Sequence, residues 1–251
     1  MKDLAVTSTP VQTVSPETIE KLKTCSTATL TTQLFKRGLS NLFVQGVRRQ
    51  TSSGGPMVGP ATTLRYIPAR EDLDHLGVFE DRSHPQRKVV EDIPTGHVLV
   101  MDARGDASAA SAGHILLTRM QIRGAAGIVT DGALRDMPEI ARMDWPVYAQ
   151  GGSAPTNLIR HHAVDIDVPI ACGDVPVFPG DIVVGDDEGV VILPRHLASE
   201  IADAAAAQER FEAFVLDEVR AGKSIFGIYP PDDETKRRYE ELTGIRPKTH
   251  G

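Results

Sequence analysis

Cysteine is scarce. The chain of 251 residues has two, Cys25 and Cys172. Two thiols cannot staple a fold of this size, so a disulfide framework is excluded, and both are expected as small buried apolar residues in a reducing compartment. Long apolar runs are also missing. No segment approaches the ~20 apolar residues needed to span a bilayer, and the opening "MKDLAVTSTPVQTVSPETIEK" has no apolar core of signal-peptide type. A cytoplasmic protein without a membrane partner is expected. There is no basic excess either: 27 Lys and Arg stand against 34 Asp and Glu, a net charge of −7. That argues against nucleic acid as a partner, which needs basic surface. Internal repeats and low-complexity segments are absent, and "GGSAPTN" lacks both a Walker lysine and a dinucleotide spacing, so nucleotide binding is rejected.

What remains is ordinary globular composition, 41% hydrophobic and 24% charged. That is enough chain for one sizeable core. Residues 1–14 read as an extended arm, 15–225 as one domain, and 226–251 as a tail with a short helix. "SPETIEKLKTCS" has a capping serine, a first-turn proline and an early acid, and so starts a helix. "TATLTTQLFKRG" is a second helix, stopped by Gly38. A strand over Ala61–Ile67 follows, then a charged, proline-punctuated stretch, then the buried strand "HVLVMD". The helix "AGHILLTRMQIRG" is expected to set Ile115, Leu116, Met120 and Ile122 on and beside one face, with Gly124 as its stop. "AAGIVTDG", "PVYA" and "AVDIDVPI" read as strands, and "GDIVVGDDEGVVILP" as a hairpin. A long helix covers about Leu197–Ala221. Many strands with few linkers indicate a single α/β domain of layered sheets.

Within this pattern Arg135-Asp136 stands out. It follows a buried strand and a turn at Gly132, and loops at strand ends carry chemistry because the sheet holds them rigidly. An Asp there can bind a hard cation such as Mg²⁺ through oxygen. A neighbouring Arg can grip a carboxylate with two parallel hydrogen bonds. The pair suits a small 2-oxo acid; the alternative is a solvated surface pair of little energetic weight. His161-His162, taken as adjacent residues on a helix, point about 100° apart and read as surface rather than metal ligands.

The spacing around this pair resembles that of the RraA-like superfamily, which includes the 4-hydroxy-4-methyl-2-oxoglutarate/4-carboxy-4-hydroxy-2-oxoadipate aldolases. The carrying residues are Gly113-His114, twenty residues, then Arg135-Asp136-Met137-Pro138-Glu139, together with "DVPIACGDVPVFPGDIVVGDDEGVVILP". The resemblance spans roughly residues 20–225. It implies a layered α/β/β/α sandwich of the swivelling β/β/α type, and a homotrimer or hexamer with active sites at subunit interfaces. It also implies Mg²⁺ or Mn²⁺ and pyruvate-forming lyase chemistry on a 2-oxo acid, by retro-aldol cleavage or oxaloacetate decarboxylation. By position, Asp136 is then the metal ligand and Arg135 the carboxylate binder. Backbone amides of Gly113, His114, Ile115 and Leu116 line the oxo-acid site, as a helix N-terminus suits an anion. Glu139, Asp106 and one of Glu209 or Glu212 are supporting candidates, the last two as the acid that the family's C-terminal helix lends to a neighbouring subunit. Asp106 reads equally as a loop-capping residue. Members lacking the metal-binding Asp include regulators that bind ribonuclease E; this chain keeps it, which favours an enzyme over a non-catalytic regulator.

Two departures from the family pattern bear on substrate. His114 stands where many members carry an acid or glycine. It can serve as general acid or base, or be only a helix-start residue, and as a base it would also suit dehydration or hydrolysis of a 2-oxo-3-deoxy sugar acid. The inserted stretch "IPAREDLDHLGVFEDRSHPQRKVVEDIP" and its approach bring Arg65, Arg70, Arg82, Arg87 and Lys88 near the core in sequence. One or more can read hydroxyls or a second charge on a longer sugar acid; each taken singly is read first as a solvated loop residue.

Overall fold

Alternation along two strands shows how the layers form. In β3 (Val98–Asp102), Leu99 and Met101 face one way while Val98 and Val100 face the other. In β12 (Ile182–Gly185), Ile182 and Val184 face outward and Val183 inward. All seven are almost fully buried, so both strands are covered on both faces.

The structure is a computed structural model that describes residues 14–245; most of the expected N-terminal arm and the last six residues lie outside the described residues. Helices α1 (Pro16–Leu22) and α2 (Thr27–Phe35) come first, each capped by a serine hydroxyl, Ser15 and Ser26. Strand β1 (Arg48–Arg49) leads to β2 (Met57–Pro68), then α3 (Pro85–Asp92) and β3. Next come β4 (Ala110–Gly113), α4 (His114–Ile122), β5 (Gly127–Thr130), β6 (Ala133–Arg135) and α5 (Met137–Ile140). Strands β7 (Val147–Ala149), β8 (Gly151–Gly152), β9 (His161–Ile166), β10 (Ile170–Cys172) and β11 (Val175–Val177) follow, then β12, β13 (Val190–Leu193), α6 (Ala198–Arg220) and α7 (Asp233–Thr243).

The large sheet has the order β1-β7-β5-β3-β2-β12-β13, with β9 also on β2. Strand β2 joins the two sheet layers. Its first residues pair antiparallel with β12, and the run Ala61–Arg65 pairs parallel with β3. Three cores result. Leu64, Leu99, Met101 and Ile128 pack under α3 and α4. Val98, Val100, Val183 and Ile192 fill the space between the sheets. Ile182, Val184, Val191 and Leu193 pack under α1, α2 and α6. Read across, the order is α/β/β/α, the expected sandwich. Truncating a residue such as Leu99 would cost about 2–5 kcal/mol. Among the described residues no helix is long and apolar enough to cross a membrane.

Two expectations fail here. Helix α4 buries Leu117 and Met120, while Ile115 and Ile122 are 79% and 73% exposed. Apolar and polar residues are interspersed around the helix, so its periodicity could not choose a face. The second concerns His161-His162, which lie on strand β9, not a helix. A strand sends neighbours to opposite faces. His161 is therefore fully buried, accepting from Arg104 at Nδ1 and donating from Nε2 to the Ala109 carbonyl, while His162 meets the Asp74 carboxylate at 2.9 Å.

Candidate active site

Three short strands build the site. β4, β6 and β8 form a small parallel sheet, with Gly113 directly opposite Arg135. β4 runs straight into α4, and Gly113 caps that helix with no side chain of its own. The first turn of α4 therefore keeps backbone N–H groups that need an acceptor. Asp136 supplies one from the neighbouring strand end: the His114 N–H donates to its Oδ2 at 3.2 Å.

Asp136 is held in the left-handed region, φ 65° and ψ 38°, between β6 and α5. A non-glycine residue pays about 1–2 kcal/mol for that conformation, least for Asp and Asn. It turns the chain sharply after Arg135. Gly113 is what lets the carboxylate close in: a Cβ there would sit 2.7 Å from Asp136 Oδ2 and 3.1 Å from Arg135 Nε. The Arg135 and Asp136 side chains are partly exposed, and Arg135 Nε stands 3.9 Å from Oδ2. That is a long edge contact, not the two-pronged pair of a satisfied guanidinium. Among the described residues the Arg135 guanidinium has no closer acceptor. The arrangement thus presents a cation, a carboxylate and a helix N-terminus at one place, all with unused bonding capacity.

Behind this edge lies Asp131, which sequence reasoning missed. It is buried, and its carboxylate accepts from the N–H groups of Ala103 (2.6 Å), Gly105 (3.0 Å) and Gly173 (3.4 Å). It ties the loop after β3 to the β10–β11 turn. Burial pushes its carboxyl above the usual range despite those donors. Its signal was a single acid between the apolar run Gly127–Thr130 and Gly132. A second missed set lies on the other side. Tyr66 Oη and Gln86 Nε2 both donate to the Ser111 carbonyl, at 3.0 and 2.7 Å, two residues before Gly113.

The supporting candidates fare differently. Glu139 pairs with Arg142 at 3.5 Å on exposed surface. Asp106 accepts from the Ser108 N–H and hydroxyl, a loop cap that draws its carboxyl below the usual range. Glu209 accepts from Ser26 N and Oγ at the start of α2 in its own chain. Burial raises its carboxyl, but the Ser26 and Thr29 donors overcome that and leave it lowered. Glu212 accepts from Gln208 within α6. A groove of about 310 Å³ bordered by Phe35, Leu39 and Phe43 carries no titratable side chain and is separate from this edge.

Among the described residues no three His, Cys, Asp or Glu side chains are grouped to cage a metal. A cation at Asp136 must therefore accept one protein carboxylate and take its other oxygens from water and ligand. Hydrated Mg²⁺ or Mn²⁺ fits that donor set, whereas a four-ligand structural Zn²⁺ does not.

Fold and edge together define an α/β/β/α protein that offers an Arg–Asp pair at a helix N-terminus. The family model described as RraA-like, aldolase/RraA, matches residues 27–192, and the chain belongs to that family. A Halalkalibacterium halodurans protein provisionally named a 4-hydroxy-4-methyl-2-oxoglutarate aldolase is 31% identical over 188 residues, covering 73% of this chain and 82% of its own. The Thermus thermophilus protein named 4-hydroxy-4-methyl-2-oxoglutarate aldolase is 33% identical over 120 residues, 48% of this chain and 72% of its own. Among solved structures, Streptomyces coelicolor RraAS2 is described as an unusual member of the RNase ES inhibitor RraA family. It matches with a TM-score of 0.71 and 32% identity over 81% of this chain and 97% of its own.

Proposed function

We propose that this chain is a divalent-metal-dependent lyase that cleaves a 2-oxo acid and releases pyruvate. The carrying observation is the meeting of Asp136, Arg135 and the His114 N–H across Gly113. The names of the aldolase relatives support the same reading. In it, Asp136 holds Mg²⁺ or Mn²⁺, which when bound polarises the 2-oxo group. The Arg135 guanidinium takes the adjacent carboxylate, and the N–H groups opening α4 add positive potential beside it. In a retro-aldol step a base removes the C4 hydroxyl proton. The C3–C4 bond breaks as C4 becomes a carbonyl, and its electron pair passes to the pyruvate half, which is protonated at C3. The His114 imidazole, partly exposed and without a protein hydrogen bond among the described residues, is assigned as that base. Loss of CO₂ from oxaloacetate leaves the same electron pair in the same place, so one site serves both reactions.

Ile115 in the first turn of α4 and Ile122 at its far end, both exposed, support a second copy packing along this helix, as the expected trimer or hexamer requires. The test is a screen of 2-oxo acids with Mg²⁺ and Mn²⁺, following pyruvate. Turnover that a chelator abolishes is expected; no pyruvate from any of them would overturn the reading. The likeness to RraAS2 favours a second reading, binding to a ribonuclease without chemistry. That reading requires an Asp136→Ala protein to bind as the wild type does.

A further inference from the structure

Five cations of the inserted stretch and its approach were candidates for reading a distal substrate group. Three are already paired: Arg65 with Asp165, Arg70 with Asp72, and Lys88 with Asp92. Arg82 is exposed in the loop before α3. Arg87 differs. Its guanidinium carbon lies 4.1 Å over the Phe79 ring, it is partly buried, and among the described residues no carboxylate pairs with it.

Three contacts fix where Arg87 stands. At the start of α3, Gln86 donates to the Ser111 carbonyl, just before α4 begins. One turn on, Glu91 takes a two-pronged pair from Arg119, at 3.1 and 2.8 Å. Past the end of α3, Thr95 donates to the Arg123 carbonyl. Residues 86, 91 and 95 thus meet 111, 119 and 123 in order, so α3 and α4 lie side by side and run the same way. Arg87 and Glu91 are four residues apart and share a face. Glu91 reaches Arg119; Arg87, one turn earlier, is therefore level with the first turn of α4, residues 114–116. That turn borders the Arg135–Asp136 edge. Burial brings the Arg87 guanidinium below its usual range; the nearby Tyr66 opposes this, and repulsion from Arg135 adds to it. Two nearby guanidiniums, one without a carboxylate partner among the described residues and the other with only a 3.9 Å edge contact, form a site whose repulsion a bound anion relieves.

We propose that Arg87 is the specificity-determining residue for a second carboxylate, at the substrate end away from the 2-oxo acid group held by Arg135. The substrate is then a 2-oxo dicarboxylate rather than a neutral polyhydroxy acid. Phe79 stacks on the guanidinium, and the Gln86 and Glu91 clamps keep α3 from drifting. The assignment rests on the reading of Arg135 as the carboxylate binder.

The test is binding, so it does not depend on turnover. Wild type, Arg87→Gln and Arg87→Lys are titrated calorimetrically, with Mg²⁺ present, with 2-oxoglutarate and with pyruvate. Wild type should bind 2-oxoglutarate the more tightly. Arg87→Gln should weaken 2-oxoglutarate by about 10- to 100-fold, the range of one charge-assisted hydrogen bond, and leave pyruvate unchanged. Arg87→Lys should lose less, and it keeps the charge should the Gln variant fold poorly. Equal weakening of both ligands, or no preference in wild type, overturns the proposal. Selective weakening in a protein that releases no pyruvate from any 2-oxo acid would instead sustain Arg87 and reject the lyase reading.

Discussion

Gly113→Ala is the sharpest perturbation of this site, because one methyl group separates fold from function. The added Cβ would lie 2.7 Å from Asp136 Oδ2, about 0.7 Å inside the 3.4 Å at which ordinary contact begins. The obstacles are side-chain atoms of Asp136 and Arg135, not backbone, so those side chains yield. The backbone itself accepts alanine, being extended at φ −131° and ψ 173°. Removing glycine restricts the unfolded chain and favours folding by about 0.4–1 kcal/mol. Loss of the His114 N–H bond to Asp136 costs about 0.5–1.5 kcal/mol. These nearly cancel, so Tm should move by no more than about 2–4 °C. The reacting geometry has no such compensation. A displacement near 1 Å costs about 10²-fold in rate, so kcat/KM should fall about 10- to 100-fold, or ~1.4–2.7 kcal/mol. Pyruvate release and thermal unfolding, measured on the same preparation, decide it. Unchanged kcat/KM would show that Asp136 and Arg135 need not be where the structure has them. A large drop in Tm would show that the methyl strikes the backbone instead.

Asp136→Ala should abolish metal-dependent turnover while the melting curve is kept; full activity after chelation would remove the metal from the mechanism. Arg135→Lys replaces a guanidinium fork by a point charge and should lose about 1–3 kcal/mol of transition-state stabilisation; an unaltered kcat/KM would take Arg135 out of the site. His114→Ala should lower kcat by about 10²-fold or more with Tm kept, whereas a similar rate would leave His114 a helix-start residue. Stability should fall as pH drops below about 6.5. Burial holds His84, His97 and His161 below the usual imidazole range, so in that window the unfolded chain binds more protons than the folded one. Asp131 and Asp181, raised by burial, act with the opposite sign lower down; a Tm flat from pH 8 to 5 would contradict the histidine assignment.

The elements that were legible are those whose side chains announce them. Ser15-Pro16 and Ser26 start helices as expected, Gly38 and Gly124 follow helix ends at positive φ, and the two Val/Ile runs around Asp186–Gly189 pair as a hairpin. The sheet that carries the site gave no such signal. β4, β6 and β8 read ASAG, ALR and GG. Small residues there have little β-propensity, and are present because Gly113 and Gly132 must admit close neighbours: a Cβ at Gly132 would meet Ser111 Oγ at 2.7 Å. Only motif spacing pointed to that edge. Burial of polar groups was equally hidden. His161 and Asp131 look like surface residues in the sequence, and only the strand pairing and backbone donors around them show why each is inside.

The site therefore has two sources with different constraints. One wall, Gly113 with Arg135 and Asp136, is fixed by strand register and a left-handed residue, and a one-residue slip would destroy it. In the proposed function that wall would serve the end of the substrate common to every 2-oxo acid. The other wall, the first turn of α3, belongs to an inserted segment tied by hydrogen bonds at Ser111, Arg119 and Arg123 and packed on the core through Val89, Val90 and Ile93. Its residues outside that core packing can change without disturbing the register behind it. Differences in substrate among proteins sharing this frame should accordingly arise on that second wall and at His114. For this chain the occupants are a guanidinium on an aromatic ring and an imidazole. Exchanging either should alter which 2-oxo acid is handled while the Asp136 edge keeps its geometry, an outcome that paired structures of Arg87→Gln and wild type would test directly.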